Sequence, residues 1–152
     1  MPAIAQLIPT LQVAIGPVVL ISGIGLLILS MTNRLGRVID RGRILSRELS
    51  EVPPESRIRI EAQLQILARR AEYLRRAITA ASVSVLLAAV LIITLFITAV
   101  LAIEDAWLIG ALFVSALGAL IFSLVSFLQD LNESLLAFKL EIGIPPGDKW
   151  LK

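Results

Sequence analysis

The chain has 152 residues, 57% of them hydrophobic, and a mean hydropathy of +0.89, well above the roughly 45–50% apolar content of soluble domains, so one domain that needs lipid as its solvent is expected. Fourteen basic and twelve acidic residues nearly cancel, so the position of the charges says more than their sum. Cysteine and histidine are both absent, which excludes disulfides, thiolate chemistry, zinc and iron–sulfur ligation and imidazole proton shuttles.

Met1 to Asn33 contains no ionisable side chain, and the first charged side chain is that of Arg34. The positive n-region of a cleavable signal is therefore missing, and residues 1–33 are expected to stay in the mature protein. The early half carries Gln6, Pro9, Gln12 and Pro17, which places the spanning part at about residues 13–31 with Pro17 as a kink or start. Residues 3–12 either extend that helix or lie in the outer interface. Gly16, Gly23 and Ser30 recur every seven residues, a spacing that suits close helix packing or the lining of a narrow pore.

The next segment, Arg34 to Arg76, holds eleven arginines against six acids. Leu35, Val38, Gly42, Leu45, Leu49 and Val52 alternate at three and four residues, as do Ile60, Leu64, Leu67, Ala71, Leu74 and Ile78. Pro53 and Pro54 stand between the two series, and neither can donate a backbone hydrogen bond. A helical hairpin over 34–76 is expected, about 25–30 Å long at 1.5 Å per residue.

Ala77 to Ile103 and Ala106 to Gln129 are again free of ionisable side chains and predict spans at 78–103 and 107–128. The hydroxyls Thr79, Ser82, Ser84, Thr94 and Thr98 either line a water path or bond back to their own helix. Glu104-Asp105 makes an acidic turn between the spans, with Trp107 at the interface. Ala111, Ser115 and Ala119 give the third span a small-residue face with Gly118 beside it. The seam spacing returns at Leu124, Leu128, Leu131, Leu135, Phe138 and Ile142, predicting a helical extension over 129–142 before the polar tail 143–152.

Short-loop Lys and Arg set orientation, so the Arg-rich hairpin is expected in the cytoplasm and the acidic turn outside. The fold class is all-α: a polytopic membrane protein whose three transmembrane helices extend into a cytoplasmic helical hairpin or three-helix bundle, N-terminus out and C-terminus in.

The densest charge lies at the membrane boundary, in Asn33, Arg34, Arg37, Asp40, Arg41 and Arg43. On a helix Arg34, Arg37 and Arg41 share a face, and Asp40 reaches Arg37 or Arg43. These arginines can signal topology and bind anionic headgroups, filter ions at a pore mouth, or dock a partner. Asp40 is the acid expected to matter most among them.

The run from Gly16 to Leu45, with its Asn33-Arg34-x-x-Arg37-x-x-Asp40-Arg41-x-Arg43 core, resembles the opening signature of an uncharacterised prokaryotic membrane family, domain of unknown function 2721. The resemblance extends from about Ile8 to Ile142 and implies no activity.

No phosphate loop, nucleophile elbow or metal motif is present, so neither enzyme activity nor a cofactor nor a metal is expected. The arginines are interleaved with acids and lack aromatics, which fits poorly with nucleic acid. No span holds an interior acid or base, which argues against autonomous proton coupling. Two functional readings follow. One is a homo-oligomeric inner-membrane protein acting as a passive ion channel with a basic inner mouth. The other is a non-catalytic scaffold or accessory subunit that docks a protein partner through its hairpin. The expected partners are a bilayer with anionic headgroups, further copies of the chain, and a protein at the hairpin.

Overall fold

A computed structural model of the chain describes residues 4–102 and 106–141. It is all-α, with helices α1 (Ile4–Glu51), α2 (Pro54–Leu101) and α3 (Ala106–Glu141). Each helix is long and apolar enough to cross a membrane. Apolar runs of this length become helices because lipid offers no partner for a free backbone N–H or C=O, so the segment must bond to itself. The same constraint carries α1 unbroken through Pro9 and Pro17. Residues 4–12 therefore extend the first helix, and α1 does not begin at Pro17.

The only described break between α1 and α2 is Val52-Pro53. Pro54 restrains Pro53 away from helical backbone and itself sits at the first position of α2, where its missing N–H costs nothing. Arg57 Nε donates to the Val52 carbonyl oxygen at 3.4 Å, which occupies one of the acceptors released at the end of α1. At the other end of α2, Ala102 has φ 53°, a left-handed conformation that closes a helix and is usually left to glycine. Glu104, Asp105, Ile142 and the tail 143–152 lie outside the described residues.

The chain forms two compact units whose limits fall inside the helices. The first comprises residues 1–30 and 78–123. Its buried side chains are mostly small: Ala81, Ser84 and Ala88 of α2 and Ala116 and Ser123 of α3, with Ile24 of α1 and Leu91 of α2 as the larger members. Ala81, Ser84, Ala88 and Leu91 alternate at three and four residues, so one face of α2 is thin enough for a neighbouring helix to come close. Ser84 Oγ uses that proximity and donates to the Ala116 carbonyl oxygen at 2.8 Å. Ser82, Thr94 and Thr98 bond back to carbonyls of their own helix, as does Ser115 of α3. The large apolar residues of this unit, among them Val19, Leu26, Leu86, Ile93, Val114 and Ile121, are exposed. Only 11–17% of the most apolar window of each helix is buried, an arrangement stable against lipid tails and not against water.

The second unit comprises residues 31–77 and 124–152. Met31, Val38 and Leu45 of α1 are buried at seven-residue intervals, and Leu35, Gly42, Leu49 and Val52 are half-buried beside them. On α2, Leu74 and Ala77 are buried and Ile60, Leu64, Leu67 and Ala71 half-buried. Met31 and Ala77 apart, these are the two hydrophobic series read from the sequence, and the last member of the second, Ile78, is half-buried in the first unit. The series on α3 is different. Leu124, Leu128 and Leu135 are exposed, only Leu131 of that set is half-buried, and Ser126 and Asp130 take the buried positions. The Phe138 side chain and Ile142 lie outside what is described. Leucine spacing misidentified the face because, on a helix that also meets lipid, small and polar side chains seek other helices and leucines do not need to.

Candidate functional site

In the second unit the three helices each contribute one ionisable residue to a single contact. Arg34 comes from α1, Arg70 from α2 and Asp130 from α3. Asp130 is fully buried; its Oδ2 accepts from Arg34 Nη1 at 3.3 Å and its Oδ1 from Arg70 Nε at 3.2 Å. Both carboxylate oxygens are occupied, which offsets much of the desolvation that a buried acid would otherwise suffer. The arginines keep some access to solvent, 32% for Arg34 and 18% for Arg70. Phe127 lies three residues before Asp130 on the same face of α3, and its ring centroid is 5.3 Å from Arg34 Cζ. The Arg34 guanidinium thus has a carboxylate and an aromatic face as neighbours, a cation–π arrangement that adds to the ion pair.

Beside this contact is a widely open cavity of about 280 Å³ lined by Arg34, Arg37 and Arg41 of α1, Arg70 of α2 and Ser134 of α3. Val38 and Leu67 supply its apolar wall. The helical offsets of three and seven residues bring Arg34, Arg37 and Arg41 to the one cavity. Among the described lining residues four are arginines and none is acidic, so the site carries an excess of positive charge.

The other boundary residues are placed differently. Asn33, Asp40 and Arg43 are exposed, and Asp40 forms no ion pair among the described residues. The acid that matters to the arginines is Asp130, which the sequence reading did not single out, together with Arg70, Phe127 and Ser134. A signal for it exists. Arg34 is the first ionisable side chain after the run Met1–Asn33, and Asp130 is the first after the run Ala106–Gln129. The first charges after the two ion-free runs are therefore the pair that the fold joins.

Gly16, Gly23 and Ser30 are all exposed on α1. A Cβ added at either glycine would meet no atom within 4 Å. Among the described residues, therefore, nothing packs on the stripe. Among the described residues no group of three or more Asp or Glu is placed to hold a metal ion.

The model of the family described as Protein of unknown function (DUF2721) matches residues 14–140. The chain belongs to that family. No curated protein and no solved structure matches it. The matched span contains the full Arg34–Asp130–Arg70 contact and every residue that lines the cavity beside it, so the site belongs to the DUF2721 region of the chain.

Proposed function

We propose that this DUF2721 protein is a non-catalytic homo-oligomer of the inner or plasma membrane, inserted N-terminus out and C-terminus in, that passes small anions passively through a basic inner mouth. The supporting observation is the exposed line of Gly16, Gly23 and Ser30 with open space above both glycines. In lipid no hydrophobic effect drives helices together, and small side chains favour association by letting backbones approach. A stripe on which none of the described residues packs matches best the same stripe on another copy.

The next step of seven along α1 is Arg37, which is exposed and has no ion pair among the described residues. Copies gathered along the stripe would repeat Arg37 around the assembly, and a basic ring favours anions over cations at a constriction. Native mass spectrometry and planar-bilayer recording test both parts. An oligomer that Gly16→Leu/Gly23→Leu dissociates, and anion-selective currents that Arg37→Glu shifts towards cations, are expected. A chain that stays monomeric in nanodiscs overturns the assembly, and an electrically silent oligomer overturns the conduction.

The accessory-subunit reading keeps one observation of its own. Ile39, Ile44 and Ile58 are 42%, 49% and 75% exposed among the charged residues of the second unit. Unburied aliphatics in such surroundings suit a docking protein. A partner that co-purifies with the wild type and is lost from Ile44→Ser/Ile58→Ser, in a chain that conducts nothing, would establish this reading in place of the channel.

A further inference from the structure

We infer that the cavity lined by Arg34, Arg37, Arg41 and Arg70 is a binding site for a single phosphate group, either the phosphodiester of a lipid headgroup or a free phosphate ion. The inference is independent of whether copies assemble or conduct, since every lining residue belongs to one chain.

Three observations converge. First, the charge is left uncompensated by the fold. Among the described residues Asp130 engages one N–H of Arg34 and one of Arg70, no other ion pair takes up their remaining donors, and Arg37 and Arg41 have none. Second, all four cations are arginines. The planar guanidinium presents paired N–H groups that match the oxygens of a phosphate, and Asp130 and Phe127 hold the Arg34 fork in one orientation before any ligand arrives. Third, the dimensions and walls fit. A volume of about 280 Å³ takes a phosphate with several waters, given about 30 Å³ for each water in the liquid. The Ser134 hydroxyl adds a neutral donor, and Val38 and Leu67 offer an apolar surface to the ester side of the group.

Arginines that served only to orient the chain need not meet across helices, as Arg70 of α2 meets the three of α1. Arg43 and Arg69 show that alternative: both are exposed and neither lines the site. Arg34 is also the first ionisable side chain after the apolar run of α1, which puts the site within reach of headgroups.

The test compares Arg37→Gln/Arg41→Gln with Arg43→Gln/Arg69→Gln, two variants of equal net charge. The full chain in phosphatidylcholine nanodiscs is titrated with inorganic phosphate by calorimetry. In parallel, the chain in neutral detergent is offered phosphatidylglycerol and the retained lipid is counted by native mass spectrometry. One ligand per chain is expected for the wild type. Affinity should fall by about tenfold or more in the first variant, a difference of about 1.4 kcal/mol, and by less than about twofold in the second.

Retention of phosphatidylglycerol with no uptake of inorganic phosphate identifies a headgroup site, and uptake of phosphate without lipid retention identifies a free-ion site. Both support the inference. Equal weakening in the two variants means diffuse surface attraction and overturns it, as does failure of the wild type to bind either probe. A rise in the melting temperature of the wild type that saturates with phosphate and exceeds the rise in equal concentrations of sulfate is expected by mass action, and its absence counts against the inference without relying on any variant's folding.

Discussion

Asp130 holds two arginines on one carboxylate at zero exposure, so the consequence of a substitution depends on what it leaves unpaired. Arg34→Gln or Arg70→Gln alone leaves one cation in place. Both together strand a buried carboxylate, and the loss should reach about 3 kcal/mol or more. Adding Asp130→Asn to that double removes the stranded charge, and the triple variant is expected to unfold later than the double in a thermal melt followed by circular dichroism. A triple variant no more stable than the double would show that the two arginines do not compensate Asp130. At Ala102 the argument concerns the backbone. An L-residue at φ 53° is strained by its Cβ, and Ala102→Gly should raise stability by about 1 kcal/mol, seen as a higher melting temperature.

Among the elements, α3 separates what the sequence could reveal from what it could not. Ion-free runs marked all three helices that are long and apolar enough to cross a membrane, because an unpaired charge is too costly in lipid to be hidden in a pattern. The seams of α1 and α2 were legible because, among so many arginines, most large apolar side chains that these two helices bring to the second unit are buried or half-buried, with Ile39, Ile44 and Ile58 as exceptions. On α3 that logic fails, since leucines remain content on the outside wherever lipid meets them. The buried line there is Ser123, Ser126 and Asp130, and the leucines at 124, 128 and 135 are exposed. Ser126→Leu should therefore overpack the helix contact and lose about 1–3 kcal/mol, whereas Leu128→Ala should change stability little in nanodiscs. The opposite ranking would restore the leucine seam. The candidate site was half legible for the same reason. The spacing of Arg34, Arg37 and Arg41 is local to one helix, but their junction with Arg70 and Asp130 depends on how three helices meet.

At the scale of the whole molecule the arginines are candidates for two tasks, orienting the chain and forming a cavity, and the tasks make separable demands. Orientation depends on the number of Lys and Arg in short loops and little on which residues they are. The cavity depends on four particular guanidiniums and is indifferent to the rest. Eleven arginines lie between Arg34 and Arg76, whereas the only charged residues in the connection between α2 and α3 are Glu104 and Asp105, so the bias is large. A fluorescent protein fused after Lys152 should fold and fluoresce in the cytoplasm, while alkaline phosphatase fused at the same point should be inactive. Replacing Arg43, Arg47, Arg57 and Arg59 by glutamine leaves seven of the eleven and every cavity residue, so both the fusion signal and phosphate binding should survive. Replacing Arg37 and Arg41 alone should keep the fusion signal and lose the binding. A reversal of the fusion signal in that smaller variant would mean that Arg37 and Arg41 are needed to orient the chain and that the remaining nine do not suffice.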